Sequence, residues 1–145
     1  MANTAAPFSI RLSKDLDAAV ADEARRTKRS KGAVLESLAD EAIRLRRFPG
    51  IAFRGDDWNR RAWVIGTAFD VWEVIQAIED LGGADKAIKA GSLTTTQVAV
   101  AEAYYHAYRK EIDELIRENR RSLDEFARAF PTFRVQPGSQ RRRRR

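Results

Sequence analysis

The chain has 145 residues, enough for one ordinary domain or two very small ones, with 43% hydrophobic and 33% charged residues. It has no cysteine and a single histidine, His106, which excludes a disulfide framework, thiol catalysis and zinc sites of the usual nitrogen–sulfur type. The net charge of +6 is uneven: residues 141–145 are all arginine, residues 1–50 hold ten Lys/Arg against seven Asp/Glu, and the rest is nearly balanced, a pattern that suits an acidic partner at both ends.

No apolar run reaches the ~20 residues that span a bilayer. Residues 1–7 lack a basic stretch followed by an apolar one, so the expectation is a disordered N-terminus, no secretory signal, no membrane and a cytoplasmic location. Residues 8–13 alternate apolar and polar side chains, the period of a half-buried strand. Phe8, Ile10 and Leu12 would face one way, and Ser9, Arg11 and Ser13 the other. Ser13 also suits a helix cap, with Asp15 and Asp17 in the positive first turn. Leu16, Ala19, Val20, Glu23 and Ala24 then trace a helical stripe ending near Thr27. Lys28, Arg29 and Ser30 form a short polar linker, and Ser30 is a second cap. Val34, Leu35, Leu38, Ala42, Ile43 and Leu45 make a broader apolar face before Phe48, Pro49 and Gly50 stop the second helix.

One short strand and two amphipathic helices make too small a core for a stable monomer, and a lone strand leaves its hydrogen-bonding edge unpaired. Both defects disappear if two chains pair their strands antiparallel and interlock their helices, with Phe8, Ile10, Leu12, Leu35 and Leu38 as the dimer core. The alternating strand, the step from Leu12 through Ser13, Lys14 and Asp15 to Leu16, the turn of Lys28, Arg29, Ser30 and Lys31, and the apolar second helix together resemble the ribbon-helix-helix family of DNA-binding proteins, of the MetJ, Arc and CopG type, over residues 8–48. The resemblance implies a two-stranded ribbon in the major groove of an operator. Ser9, Arg11 and Ser13 would read bases, and Arg29, Ser30, Lys31 and Gly32 would hold phosphates through side chains and backbone N–H groups. Gly32 stands where a small polar residue is expected, so one side-chain contact is missing. The other reading of residues 8–48 is a dimerisation arm with no DNA role.

In the second half, residues 51–54 and 61–65 flank the turn-rich stretch 55–60 and predict a β-hairpin. Val71, Val74, Ile75 and Ile78 predict a helix over 70–81, ended by Gly82 and Gly83. A short helix over 84–90 follows. Thr94 and Gln97 form a capping box for a helix carrying Val98, Ala101, Tyr104, Tyr105 and Tyr108. Ile112, Leu115 and Ile116 continue the helical period, then Leu123, Phe126 and Phe130. Residues 49–54, 60–64, 70–74, 98–107 and 111–113 resemble a small, mainly helical domain of unknown function that often occurs in antitoxin-like proteins. The step from the short helix into the capped one is helix-turn-helix-like, but no Arg or Lys lies between Thr94 and Tyr108, which argues against DNA reading there. Trp58, Trp63, Trp72 and the tyrosines are either core or interface anchors. Trp58, beside Asp56 and Asp57, is the best candidate for an exposed one.

No nucleophile–base pairing, glycine-rich phosphate loop or metal-ligand spacing stands out, so no enzyme activity, no cofactor and no metal are expected. Glu79 and Asp80 are neighbours that point about 100° apart on a helix and read as solvated charges. The segment 117–134 alternates Arg120, Arg121 and Arg134 with Phe126, Phe130 and Phe133, and suits either a terminal helix packed on the domain or a partner-binding segment. The family resemblance implies the latter, a toxin-binding segment aimed at a PIN-type ribonuclease. Residues 135–145 read as a disordered, arginine-rich tail, either solvated or attracted to phosphates. The fold class is thus mainly α: an N-terminal ribbon-helix-helix dimer module (8–48), a small hairpin-plus-helices domain (49–116), a C-terminal helix (117–134) and the tail. The functional expectation is a homodimeric transcriptional repressor located at the bacterial nucleoid, several dimers to a site, and specifically an antitoxin that represses its own operon. A partition or nucleoid-organising protein and a pure protein-interaction adaptor are the alternatives.

Overall fold

The computed structural model describes residues 5–130, apart from the side chains of 122–124. The chain is mainly helical with one small antiparallel sheet: α1 (Lys14–Thr27), α2 (Lys31–Arg47), β1 (Ile51–Arg54), β2 (Arg61–Val64), α3 (Val71–Leu81), α4 (Ala84–Gly91), α5 (Thr95–Ala107) and α6 (Arg109–Ala129). The expected strand over 8–13 is absent from the single chain, and the two strands that do form come after two helices. The physical reason is that a strand is defined by hydrogen bonds to a neighbour, and residues 8–13 pair with neither β1 nor β2. A ribbon ahead of the helices is therefore not part of the isolated fold. Residues 1–4 and 131–145, including Phe133, Arg134 and the arginine tail, lie outside the described residues.

The chain forms two compact units. One holds the described residues up to Arg47 together with residues 55–60; the other holds 48–54 and the described residues from Arg61 onward. The hairpin loop groups with the first two helices, and position 116/117 falls inside α6.

In the first unit, the Ser13 hydroxyl accepts the Leu16 N–H at 3.3 Å and starts α1. Lys28 ends it in the left-handed region at φ 54°, its N–H returning to the Ala24 and Arg25 carbonyls. The Ser30 hydroxyl accepts the Ala33 N–H at 3.1 Å and starts α2. Only Val20, Val34 and Thr27 are buried in this unit.

In the second unit, β1 and β2 pair with Ile51 opposite Val64, Ala52 opposite Trp63, Phe53 opposite Ala62 and Arg54 opposite Arg61. Gly82, at φ 79°, closes α3 in a conformation that a side chain would strain. The Thr94–Gln97 capping box forms as expected, with bonds of 2.9 and 3.1 Å. The core is built from Ile51, Val64, Val71, Val74, Val98, Ala101, Tyr104 and Ile112, all at or below 2% exposure. Tyr104 is its centre, packed edge-on against Phe48 at 5.3 Å and tilted against Tyr108 at 4.7 Å. Trp72 is half-buried against this core and Trp63 is half-buried beside Arg54, so among the tryptophans only Trp58 is an exposed one, at 73%.

Candidate nucleic-acid interface

The first unit displays apolar side chains that its own helices do not cover. Phe8 is 85% exposed, Ile10 66% and Leu38 51%, and Leu16, Ile43 and Leu45 are also exposed. Leu12 and Leu35, the other expected dimer-core residues, are half-buried. Apolar surface costs about 25 cal/mol for every Å² left in water, so this face gains several kcal/mol from any cover of matching shape. Ser9 and Arg11 alternate with Phe8, Ile10 and Leu12 along the same extended stretch and are exposed. Ser13 is drawn away from them by its role as the α1 cap.

At the start of α2 the expected phosphate-holding residues come together, but not all are available. Ser30 spends its oxygen on the Ala33 N–H. The N–H groups of Lys31 and Gly32, in the first turn, have no acceptor within a helix by its geometry. They point outward with the positive end of the helix dipole. Gly32 faces open space: an added Cβ would meet only the Ser30 hydroxyl, at 4.0 Å. The Lys31 ammonium pairs with Asp17, a surface contact worth at most about 1 kcal/mol and easily exchanged for another anion. Arg29 is different. It is half-buried, donates to the Ala33 carbonyl at 3.0 Å and to the Ser37 hydroxyl, and so braces α2 rather than reaching outward.

Sequence reasoning missed how the loop 55–60 is held in this unit. Arg26 donates to both oxygens of Asp57, at 2.9 and 3.0 Å. Arg60 donates to both oxygens of Glu41, at 2.8 and 3.1 Å. The Arg29 guanidinium lies 5.6 Å from the centre of the Trp58 ring. These partners sit 19 and 31 residues apart, beyond any local spacing rule. Arg26 also bonds Glu23 at 2.6 Å. Its hydrogen bonds hold the carboxyls of Glu23 and Asp57 below their ordinary values of 4.5 and 3.8 and raise its own pKa further. A carboxyl lowered in the folded state stabilises above its ordinary pKa, and that contribution is lost as the pH falls through the lowered one. The loop should therefore stay clamped through the ordinary carboxylate range and loosen only at lower pH. An acid titration followed by tryptophan fluorescence checks this, and Arg26→Ala should remove the acid transition attributable to the clamp.

The second unit contains a buried charge cluster that no motif announced. Asp70 is 3% exposed and accepts Arg54 Nε at 2.6 Å on one oxygen and Arg61 Nε at 2.9 Å on the other. Its own N–H donates to Glu73 at 2.8 Å. The cluster joins the hairpin to the start of α3 and balances the two arginines that the strand register places opposite each other. Glu79 and Asp80, expected as solvated charges, both accept Arg120, at 3.1 and 2.8 Å. Of the expected toxin-binding residues, Arg120 is thus bound to α3 and Arg121 pairs with Glu125 at 3.0 Å. Phe126 and Phe130 stack on each other at 4.7 Å and are both exposed. No group of three or more His, Cys, Asp or Glu side chains is arranged to hold a metal among the described residues, and none of their helices is long and apolar enough to cross a membrane. Compared with known families, curated proteins and solved structures, the chain has no match to any family model, protein or structure.

Proposed function

We propose that the protein is a sequence-specific DNA-binding repressor that works as a ribbon-helix-helix homodimer. The observation that carries this reading is the uncovered apolar face of the first unit, where Phe8, Ile10 and Leu38 are exposed while Ser9 and Arg11 alternate with them. A second copy of the same extended stretch would supply the missing strand edge, bury Phe8, Ile10 and Leu12 against both pairs of helices, and turn Ser9 and Arg11 outward on a two-stranded ribbon. In the major groove each Arg11 guanidinium would bond guanine O6 and N7 together, worth roughly 1–3 kcal/mol of base discrimination. The N–H groups of Lys31 and Gly32 would fix the register by holding a backbone phosphate. Ser13 and Arg29 take supporting roles in this reading, as cap and brace.

The more specific version is an antitoxin that represses its own operon and blocks a PIN-type ribonuclease. The exposed Phe126–Phe130 pair at the end of α6, with Arg128 beside it, supports a partner-binding role for that segment. An adjacent short gene for an acidic-site nuclease distinguishes this version from a nucleoid organiser.

The test is a gel-shift titration of the full chain against the DNA upstream of its own gene, alongside sedimentation in solution. The expected result is a dimer with sequence preference. Arg11→Ala should remove that preference, with a loss of about tenfold or more for the preferred duplex. A dimer with no preference that Arg11→Ala could remove would instead favour the adaptor role.

A further inference from the structure

We infer that the cleft between α3, α4 and α6 is a binding site for a small neutral molecule, apolar in its body and carrying one carbonyl-type acceptor for the Trp72 indole N–H. The site lies wholly within the second unit and does not rest on the DNA-binding reading.

The cleft has a volume of about 440 Å³, within the range of roughly 300–1,000 Å³ typical of small-molecule sites. Phe69, Trp72, Leu81 and Leu93 supply its apolar walls, and the small side chains of Ala77 and Ala87 leave room between them. Its polar lining is matched, with one exception. Glu73 accepts the Asp70 N–H at 2.8 Å and lies 3.9 Å from Arg54. Asp80 accepts Arg120 at 2.8 Å. Gln76 donates to Asp80 at 3.5 Å and accepts from Asn119 at 3.0 Å. Both carboxylates are thus paired with arginines, and no basic side chain lines the cleft. An ion entering it would shed water and gain no partner in return, so the occupant is neutral.

The exception is Trp72. Its indole N–H can only donate, and it is buried with no acceptor among the described residues. Buried donors are nearly always satisfied, and an unmet one carries a desolvation cost that an acceptor relieves. The N–H is sealed from water, while the ring as a whole is half-buried at the wall of the cleft. In the bound state a small turn of the indole brings this N–H to the ligand's carbonyl oxygen, and the apolar walls cover the rest of the molecule.

The experiment follows the three indole N–H resonances of the ¹⁵N-labelled full chain during titration with acetophenone. The Trp72 resonance is identified by its absence in Trp72→Phe. A saturable downfield shift of that resonance is expected, with a dissociation constant of about 1 mM for so small a probe. α-Methylstyrene has the same shape without the acceptor and should bind about fivefold more weakly, the usual effect of one neutral hydrogen bond. In Trp72→Phe the two probes should bind alike, by the shifts of neighbouring backbone resonances. Ala77→Leu fills the cleft and should abolish binding; if its melting curve shows that it does not fold, Ala90→Phe replaces it, because Ala90 lines the same cleft and is exposed. No saturable shift of the Trp72 resonance up to the solubility of acetophenone overturns the inference. So does equal affinity of the wild-type chain for both probes, or undiminished binding to a folded cleft-filling variant. None of these outcomes bears on DNA binding, which the gel shift tests separately.

Discussion

Replacing Asp70 by alanine is expected to destabilise the second unit by about 2–4 kcal/mol, read as a fall in the midpoint of urea or thermal unfolding. Removing one partner from a buried ion pair costs about 3–5 kcal/mol, because the remaining charge stays desolvated and unpaired. Here two guanidinium groups are stranded, and the strand register sets Arg54 and Arg61 opposite each other, where like charges repel. The cost falls below the fully buried case because Arg54 and Arg61 keep 39% and 32% of their side-chain surface exposed and can turn toward water. Asp70→Asn retains an acceptor of the same shape and should cost less. Combining it with Arg54→Gln should recover part of that loss, since the repulsion between the strands then disappears. A near-neutral Asp70→Ala would mean that the cluster is incidental to the hairpin–helix junction.

Leu38→Glu is the second large effect, and its sign separates two states of the first unit. In the isolated chain Leu38 is half in water, and an exposed substitution of this kind changes stability by no more than about 0.5 kcal/mol. In the proposed dimer the same position lies in the interface core. A carboxylate there would be desolvated in both subunits, at several kcal/mol each. The expected outcome is therefore a monomer in sedimentation, a first unit that unfolds at lower denaturant, and no DNA binding. Unchanged sedimentation and stability would remove the apolar face as a reason for pairing.

The helices were legible in the sequence because their signals are local. Ser13, Ser30 and the Thr94–Gln97 box act over three residues, and Gly82 marks a left-handed stop that few other residues tolerate. The hairpin was legible for the same reason, as two short apolar runs around a polar turn. The alternation over 8–13 is equally plain, but alternation alone does not name the edge a strand pairs with, and in the single chain this stretch pairs with none. What could not be read were the pairings that connect distant residues. Asp70 is 16 residues from Arg54, and Asp57 is 31 from Arg26, with no period or motif linking either pair. At the candidate interface, Ser9 and Arg11 lie exposed, but so do Phe8 and Ile10 beside them. Arg29 differs, because a carbonyl and a hydroxyl on the first turns of the following helix, α2, take its guanidinium. Arg120 differs likewise, since α3 brings two carboxylates to it.

The order of contacts in the second unit also sets how it can assemble. Its hairpin, α3–α4 and α5–α6 are each joined by short connections, so their closure costs little chain entropy and they can form as the chain is synthesised. Longer-range contacts follow: Phe48 meets Tyr104, and α6 seals on α3, where Asn119 bonds Gln76 at a separation of 43 residues and Arg120 reaches Glu79 at 41. That seal brings Ile112 and Ile116 into the core, so the part of α3 that α6 covers stays open until α6 has been made. The arginine and asparagine on α6 thus act as the latch of the last step, and the interval before it closes is when this unit is most exposed to aggregation.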